Sequence, residues 1–173
     1  MFTKPPSTSA LLPRLLGAWT LVSYSHHPIS SPTDLTYPHG LNARGTILYT
    51  PTGHMSAQVV TPGQAPFSDG NGISPQTSGT PADWEQVGRN FIAYSGRFWI
   101  KDEGTIMHEL GVCNVPRMVG FVQERSVRFE EVDGEEELCL GVESVEVDGV
   151  ARRVQVRWRR MEGNAGTAAP VQS

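Results

Sequence analysis

The chain has 173 residues, 38% hydrophobic and 18% charged, with 18 glycines and 13 prolines, which fits one turn-rich domain large enough for a sizeable core. A formal net charge of −4 gives no basic excess for a polyanion, so nucleic acid is excluded as the expected partner. No stretch approaches the ~18 to 20 unbroken apolar residues of a membrane span, the N-terminus lacks the apolar core of a secretory signal, and two cysteines are too few for a disulfide framework or a Cys-based zinc site. A cytoplasmic protein with no membrane contact is expected.

Residues 1–10 and 163–173 are small, polar or Pro-containing and show no apolar periodicity, so they are expected as tails around a domain at 11–162. Within the domain the dominant signal is alternation, in short runs of Val, Ile, Tyr, Phe, Trp and Thr separated by Gly, Asp or Pro. The first hairpin joins GTILYT to HMSAQVV through Pro51-Thr52-Gly53. Pairing outward from Thr50 and His54 puts Ile47, Tyr49, Met55, Ala57 and Val59 on the inner face, with Gln58 outside. Residues 61–80 then read as a long Gly/Pro/Ser loop, a candidate lid.

A short helix is predicted over 81–92, with Thr80 as N-cap, Pro81 in the first turn, Asp83 completing an acidic capping box, and Trp84, Val87 and Phe91 on one face. The second hairpin joins FIAYSGRFWIK to TIMHELGVC. A three-residue loop, Asp102-Glu103-Gly104, pairs Arg97 with Glu109 and Phe98 with His108. That register collects Tyr94, Gly96, Phe98, Ile100, Ile106, His108, Leu110 and Val112 on one face, whereas a two-residue loop mixes charged and apolar side chains on both. The third hairpin, EEELCLGVESVEV and VARRVQVRWRR, turns at Asp148-Gly149. Its first strand changes phase, which a bulge near Glu143-Ser144 repairs, so that Val142, Leu140 and Leu138 meet Val154, Val156 and Trp158. Outside, Glu137 faces Arg159 and Glu136 faces Arg160 as a solvated strand pair.

Eight to ten antiparallel strands with one inserted helix predict an all-β barrel, with a sandwich as the rival; a barrel of about eight strands holds a small ligand.

Read together, LLGAWTLVSY, YPHGLNARGTILYTPTGHMSAQ, FIAYSGRFWI with His108, and Gly120-x-x-Gln123-x-Arg125 resemble the bacterial and fungal lipocalin-like domain family, in order from about Leu15 to Leu140. The resemblance implies a calycin-type barrel with a central pocket. Motif residues that carry over are Tyr49, Gly53, Met55, Tyr94, Gly96, His108, Gly120 and Arg125. Where relatives often have a second histidine this chain has Glu109, and near their Pro-Asn it has Val115-Pro116-Arg117. The resemblance also implies natural-product biosynthesis, where small barrel proteins act on polyketide or terpenoid intermediates.

His108, the only imidazole on an apolar face, is the leading candidate to move protons, with Tyr94 as hydrogen-bond donor and Arg125 as oxyanion stabiliser. Tyr49, Met55, Phe98, Leu110 and Trp84 are expected to line the substrate pocket. No Walker A loop, dinucleotide fingerprint, HExxH or nucleophile elbow occurs, so neither metal nor cofactor is expected. Two functions follow: a cofactor-independent isomerase, cyclase or dehydratase acting on a hydrophobic intermediate, or alternatively a carrier that binds such a molecule unchanged. Either works as a monomer or homodimer on a hydrophobic small molecule.

Overall fold

The structure is a computed structural model that describes residues 10–67 and 79–163. Residues 1–9 and 164–173 of the expected tails, and 68–78 of the expected lid, lie outside the described residues. The elements in order are α1 (Leu11–Leu15), β1 (Gly17–Pro28), β2 (Arg44–Tyr49), β3 (His54–Val60), α2 (Pro81–Asn90), β4 (Phe91–Asp102), β5 (Thr105–Glu109), β6 (Val112–Cys113), a 3₁₀ turn at Pro116–Met118, β7 (Val122–Val132), β8 (Glu135–Val147) and β9 (Val150–Arg160).

Every pairing is antiparallel, and the ladder runs from β3 through β2, β1, β9, β8, β7 and β5 to β4, which pairs back onto β3. Closure at β3–β4 removes the exposed edges an open sheet would carry, so the barrel and not the sandwich is the outcome. The two-residue β6 extends the wall beyond the end of β5, pairing Tyr94 with Cys113.

The first hairpin has the expected register, with Tyr49 opposite Met55 and Ile47 opposite Ala57, and its inner face is buried. In the third, Val142, Leu140 and Leu138 meet Val154, Val156 and Trp158 across a bulge between Val142 and Val145. Its turn residues, Asp148 and Gly149, both have positive φ, 52° and 75°, as a type I′ turn requires.

The second hairpin pairs Phe98 with His108, and Arg97 binds the Glu109 carboxylate on the outside. The expected three-residue loop is corrected, because Asp102 pairs with Thr105 and the register shifts at Lys101. That bulge gives a two-residue turn without disturbing the inner face, and the Asp102 carboxylate accepts the Gly104 N–H at 2.9 Å. A second shift, at Leu110-Gly111, turns Val112 outward and brings Cys113 onto Tyr94's face, so Val112 leaves the inner set assigned to it.

Helix α2 carries the full capping box between Thr80 and Asp83. It ends at Asn90 and not at residue 92, because Phe91 and Ile92 are drawn into the ladder with Val60 and Val59. The unpredicted α1 stoppers the barrel: Leu11 and Leu15 are buried, and the Trp19 indole N–H donates to the Leu15 carbonyl at 2.8 Å. The Arg160 guanidinium lies over the Trp19 ring, 4.1 Å from its centroid.

On the outer face of β8 and β9 the solvated pair is also corrected. Glu137 is 1% exposed and accepts from Arg157 Nε at 2.9 Å and Arg159 Nη2 at 3.0 Å, while Glu136 reaches Arg14 on α1. Two guanidinium groups thus hold a carboxylate that is out of water.

Candidate binding site

The barrel interior divides into two halves. Around α1 it is packed solid by Leu15, Trp19, Met55, Phe98, Ile106 and Leu138. Toward the other end, where β1 finishes and β2 begins, a cavity of about 510 Å³ opens. One wall is the inner face of β8 and β9, with Leu140, Val142, Val154, Val156 and Trp158; the opposite wall is Ile47, Ala57 and Val59 on β2 and β3. Pro38 and Met118 reach in from the connecting segments. Alternation along each strand, combined with the small Ala57 side chain on this wall, leaves this half unfilled.

A few polar side chains interrupt the aliphatic lining. Tyr24 and His26 come from β1, Tyr94 from β4, and Gln123 and Arg125 from β7. Arg125 donates through Nη2 to Gln123 Oε1 and through Nη1 to the Glu124 carbonyl at 3.1 Å, and its charge acts on the Tyr94 phenol beside it. Burial pushes the Tyr24 and Tyr94 phenols above their ordinary value, against the pull of the Arg125 charge. Both hydroxyls therefore stay protonated and act as hydrogen-bond donors near neutral pH.

His108 stands apart from this cluster. It is 0% exposed, its Nε2 shares a 2.9 Å hydrogen bond with the Tyr49 hydroxyl, and its Nδ1 has no partner. Burial, and secondarily the Arg125 charge, lower its pKa to about 3. Burial likewise raises Tyr49 well above its usual value. Neither residue lines the cavity; they form a neutral pair in the wall packing.

Of the residues expected at the site, the structure thus brings Tyr94 and Arg125 together in the cavity. Tyr49, Met55 and Phe98 belong to the packed core, with Phe98 edge-on to Tyr49 at 4.9 Å, and Leu110 is buried outside the cavity lining. Trp84 sits on α2 outside the barrel, edge-on to Phe67 at 5.0 Å. Tyr24 and His26 were not singled out by the sequence pattern. A bulge between Leu21 and Ser23 switches β1 from odd to even residues facing inward, and that switch hides both from a simple period-two reading. Among the described residues no three His, Cys, Asp or Glu side chains are grouped so as to hold a metal ion, and no helix is long and apolar enough to cross a membrane.

The comparisons with known proteins agree with this geometry. The chain is 30% identical over 114 residues to the 4'-hydroxy-3'-methoxypropiophenone carrier protein ppsC of Aspergillus oryzae, an alignment covering 62% of this chain and 96% of that protein. The relative is a carrier, and the expectation of an isomerase, cyclase or dehydratase is overturned by it. The site gives the physical reason: a general acid or base must touch the substrate and exchange protons near the working pH, and His108 does neither. Residues 16–161, the whole barrel from the start of β1 to the end of β9, match the lipocalin-like domain, and the chain belongs to that family.

Proposed function

We propose that this protein is a carrier, which takes a hydrophobic small molecule into the barrel and releases it chemically unchanged. The observation that carries this reading is the cavity itself: about 510 Å³, walled mainly by aliphatic side chains, with a few polar groups among them. Apolar walls supply affinity, and a few placed hydrogen-bond donors supply orientation. The similarity to a carrier of a phenolic aryl ketone supports a cargo of that size and kind, an aromatic body bearing oxygen functions. The free thiols Cys113 and Cys139 support a cytoplasmic site of action.

The test is to titrate the purified protein with 4'-hydroxy-3'-methoxypropiophenone and to recover the ligand after prolonged incubation. Saturable one-to-one binding with quantitative recovery is the expected result. Conversion of the ligand, or binding no stronger than to an unrelated protein, overturns the carrier reading for this class of cargo.

A further inference from the structure

Arg125 is the anomaly of the cavity. A guanidinium stays charged at all relevant pH values, and one placed among aliphatic walls needs a counter-charge or water to offset its desolvation. No ion pair among the described residues includes it. Its hydrogen-bond partners among the described residues are an amide oxygen and a backbone carbonyl, which leave several of a guanidinium's five N–H groups without a protein acceptor. Among the described residues no Asp or Glu lines the cavity.

The other polar groups facing the same space are also donor-rich. Tyr24 and Tyr94 both feel the Arg125 charge. Near the end of β1, Arg152 Nη1 lies 3.3 Å from His26 Nδ1 and adds a second positive charge beside the cavity. Donors and positive charge without an acid to balance them describe a receptor for an oxygen anion.

We propose that the cargo is an oxygen acid bound as its anion, a carboxylate or an acidic phenolate, with the charged oxygen against Arg125 and the hydrocarbon body against the valines of β8 and β9. The proposal rests on the carrier reading and narrows it. The anion accepts from the free guanidinium N–H groups and from the tyrosine hydroxyls, and the apolar remainder displaces water from the opposite wall. A neutral molecule of the same shape gains the second part only, and a cation is repelled from the first.

The test uses three naphthalene probes of matched shape: naphthaleneacetic acid, naphthaleneethanol and naphthaleneethylamine, each titrated into the full chain by its intrinsic fluorescence. Binding of the acid at least about tenfold tighter than the alcohol, with the amine weakest, is the expected order, since charge-assisted hydrogen bonds contribute that much or more. Arg125→Gln should collapse the acid-to-alcohol ratio toward one, and Arg97→Gln, an arginine on the outer face, should keep it. Equal affinities for acid and alcohol in the unaltered protein overturn the proposal while leaving the carrier intact, and need no variant to fold. A ratio that persists in folded Arg125→Gln also overturns it. Failure of all three probes to bind tells against the carrier reading itself.

Discussion

Tyr49 and His108, 59 residues apart in the chain, meet inside the barrel through a single 2.9 Å hydrogen bond, and both lie in the packing beneath the cavity. This pair is structural, and its removal should be felt in stability before binding. Tyr49→Phe leaves His108 with neither ring nitrogen partnered and should cost about 1–3 kcal/mol; His108→Ala adds a cavity and should cost about 2–5 kcal/mol. Urea unfolding measures the loss, and titration with 4'-hydroxy-3'-methoxypropiophenone on the same samples should show affinity within about threefold of the parent. A stable His108→Ala protein with abolished binding would show that His108 touches the cargo.

The same histidine gives a signed pH dependence. Its folded pKa, about 3, lies below the ordinary histidine value, so between the two the unfolded chain holds a proton that the folded chain lacks. Stability is then fully present above pH ~6.5 and declines as pH falls, by up to about 1.4 kcal/mol per unit. His26 and His39, lowered mainly by burial, act in the same direction. Glu109 and Asp102, lowered by Arg97 and by the Gly104 N–H respectively, add theirs only at more acid pH. Chemical unfolding of His108→Gln between pH 7 and 5 should show a slope smaller by nearly one proton; an unchanged slope would remove His108 as its source.

Ala57 faces Tyr94 across β3 and β4 on the cavity wall. Ala57→Phe projects a ring into the empty half of the barrel, where unfilled volume limits the strain. Affinity for 4'-hydroxy-3'-methoxypropiophenone should drop by about tenfold or more, while stability changes by less than about 1–2 kcal/mol. Undiminished affinity in this variant would put the cargo elsewhere.

Gly96 sets the break between β5 and β6. A Cβ built there would lie 1.9 Å from the Glu109 carbonyl oxygen and 2.8 Å from the Gly111 nitrogen, both backbone atoms. Gly96→Ala must push the two strands apart, and a loss of about 3 kcal/mol or more in thermal or urea unfolding is expected.

Glu137 offers a contrast in charge. Glu137→Ala leaves Arg157 and Arg159 without the acceptor they share and should cost about 3–5 kcal/mol, whereas breaking the exposed Lys101–Glu124 pair should cost at most about 1. Comparable losses for the two would mean that Glu137 is solvated in solution.

The hairpins were legible because alternation and turn chemistry agree locally: Asp148-Gly149 demands one turn, and Val142 opposite Val154 follows from it. The barrel was legible for the same reason, strand by strand. What local pattern does not carry is how an interior face is divided between packing and empty space. His108 and Tyr94 share an inner face, yet one is sealed and the other lines the cavity, because α1 and Trp19 fill only one end. Helix α1 is five residues long with a proline inside it, too short to announce itself by periodicity. The shifts at Leu21/Ser23, Lys101 and Leu110-Gly111 each alter phase or pairing within a run that reads as continuous. Glu137 reads as a surface acid because alternation reports a face of the sheet and not what lies across it.

Because the sheet closes on itself at β3–β4 and α1 plugs one end, the barrel is a cup and not a tube. On the carrier reading, and among the described residues, cargo enters and leaves on the side lined by Pro38 and Met118, away from α1. Loading and unloading then compete for that side, and a molecule that receives the cargo meets this protein there or waits for it to escape into water.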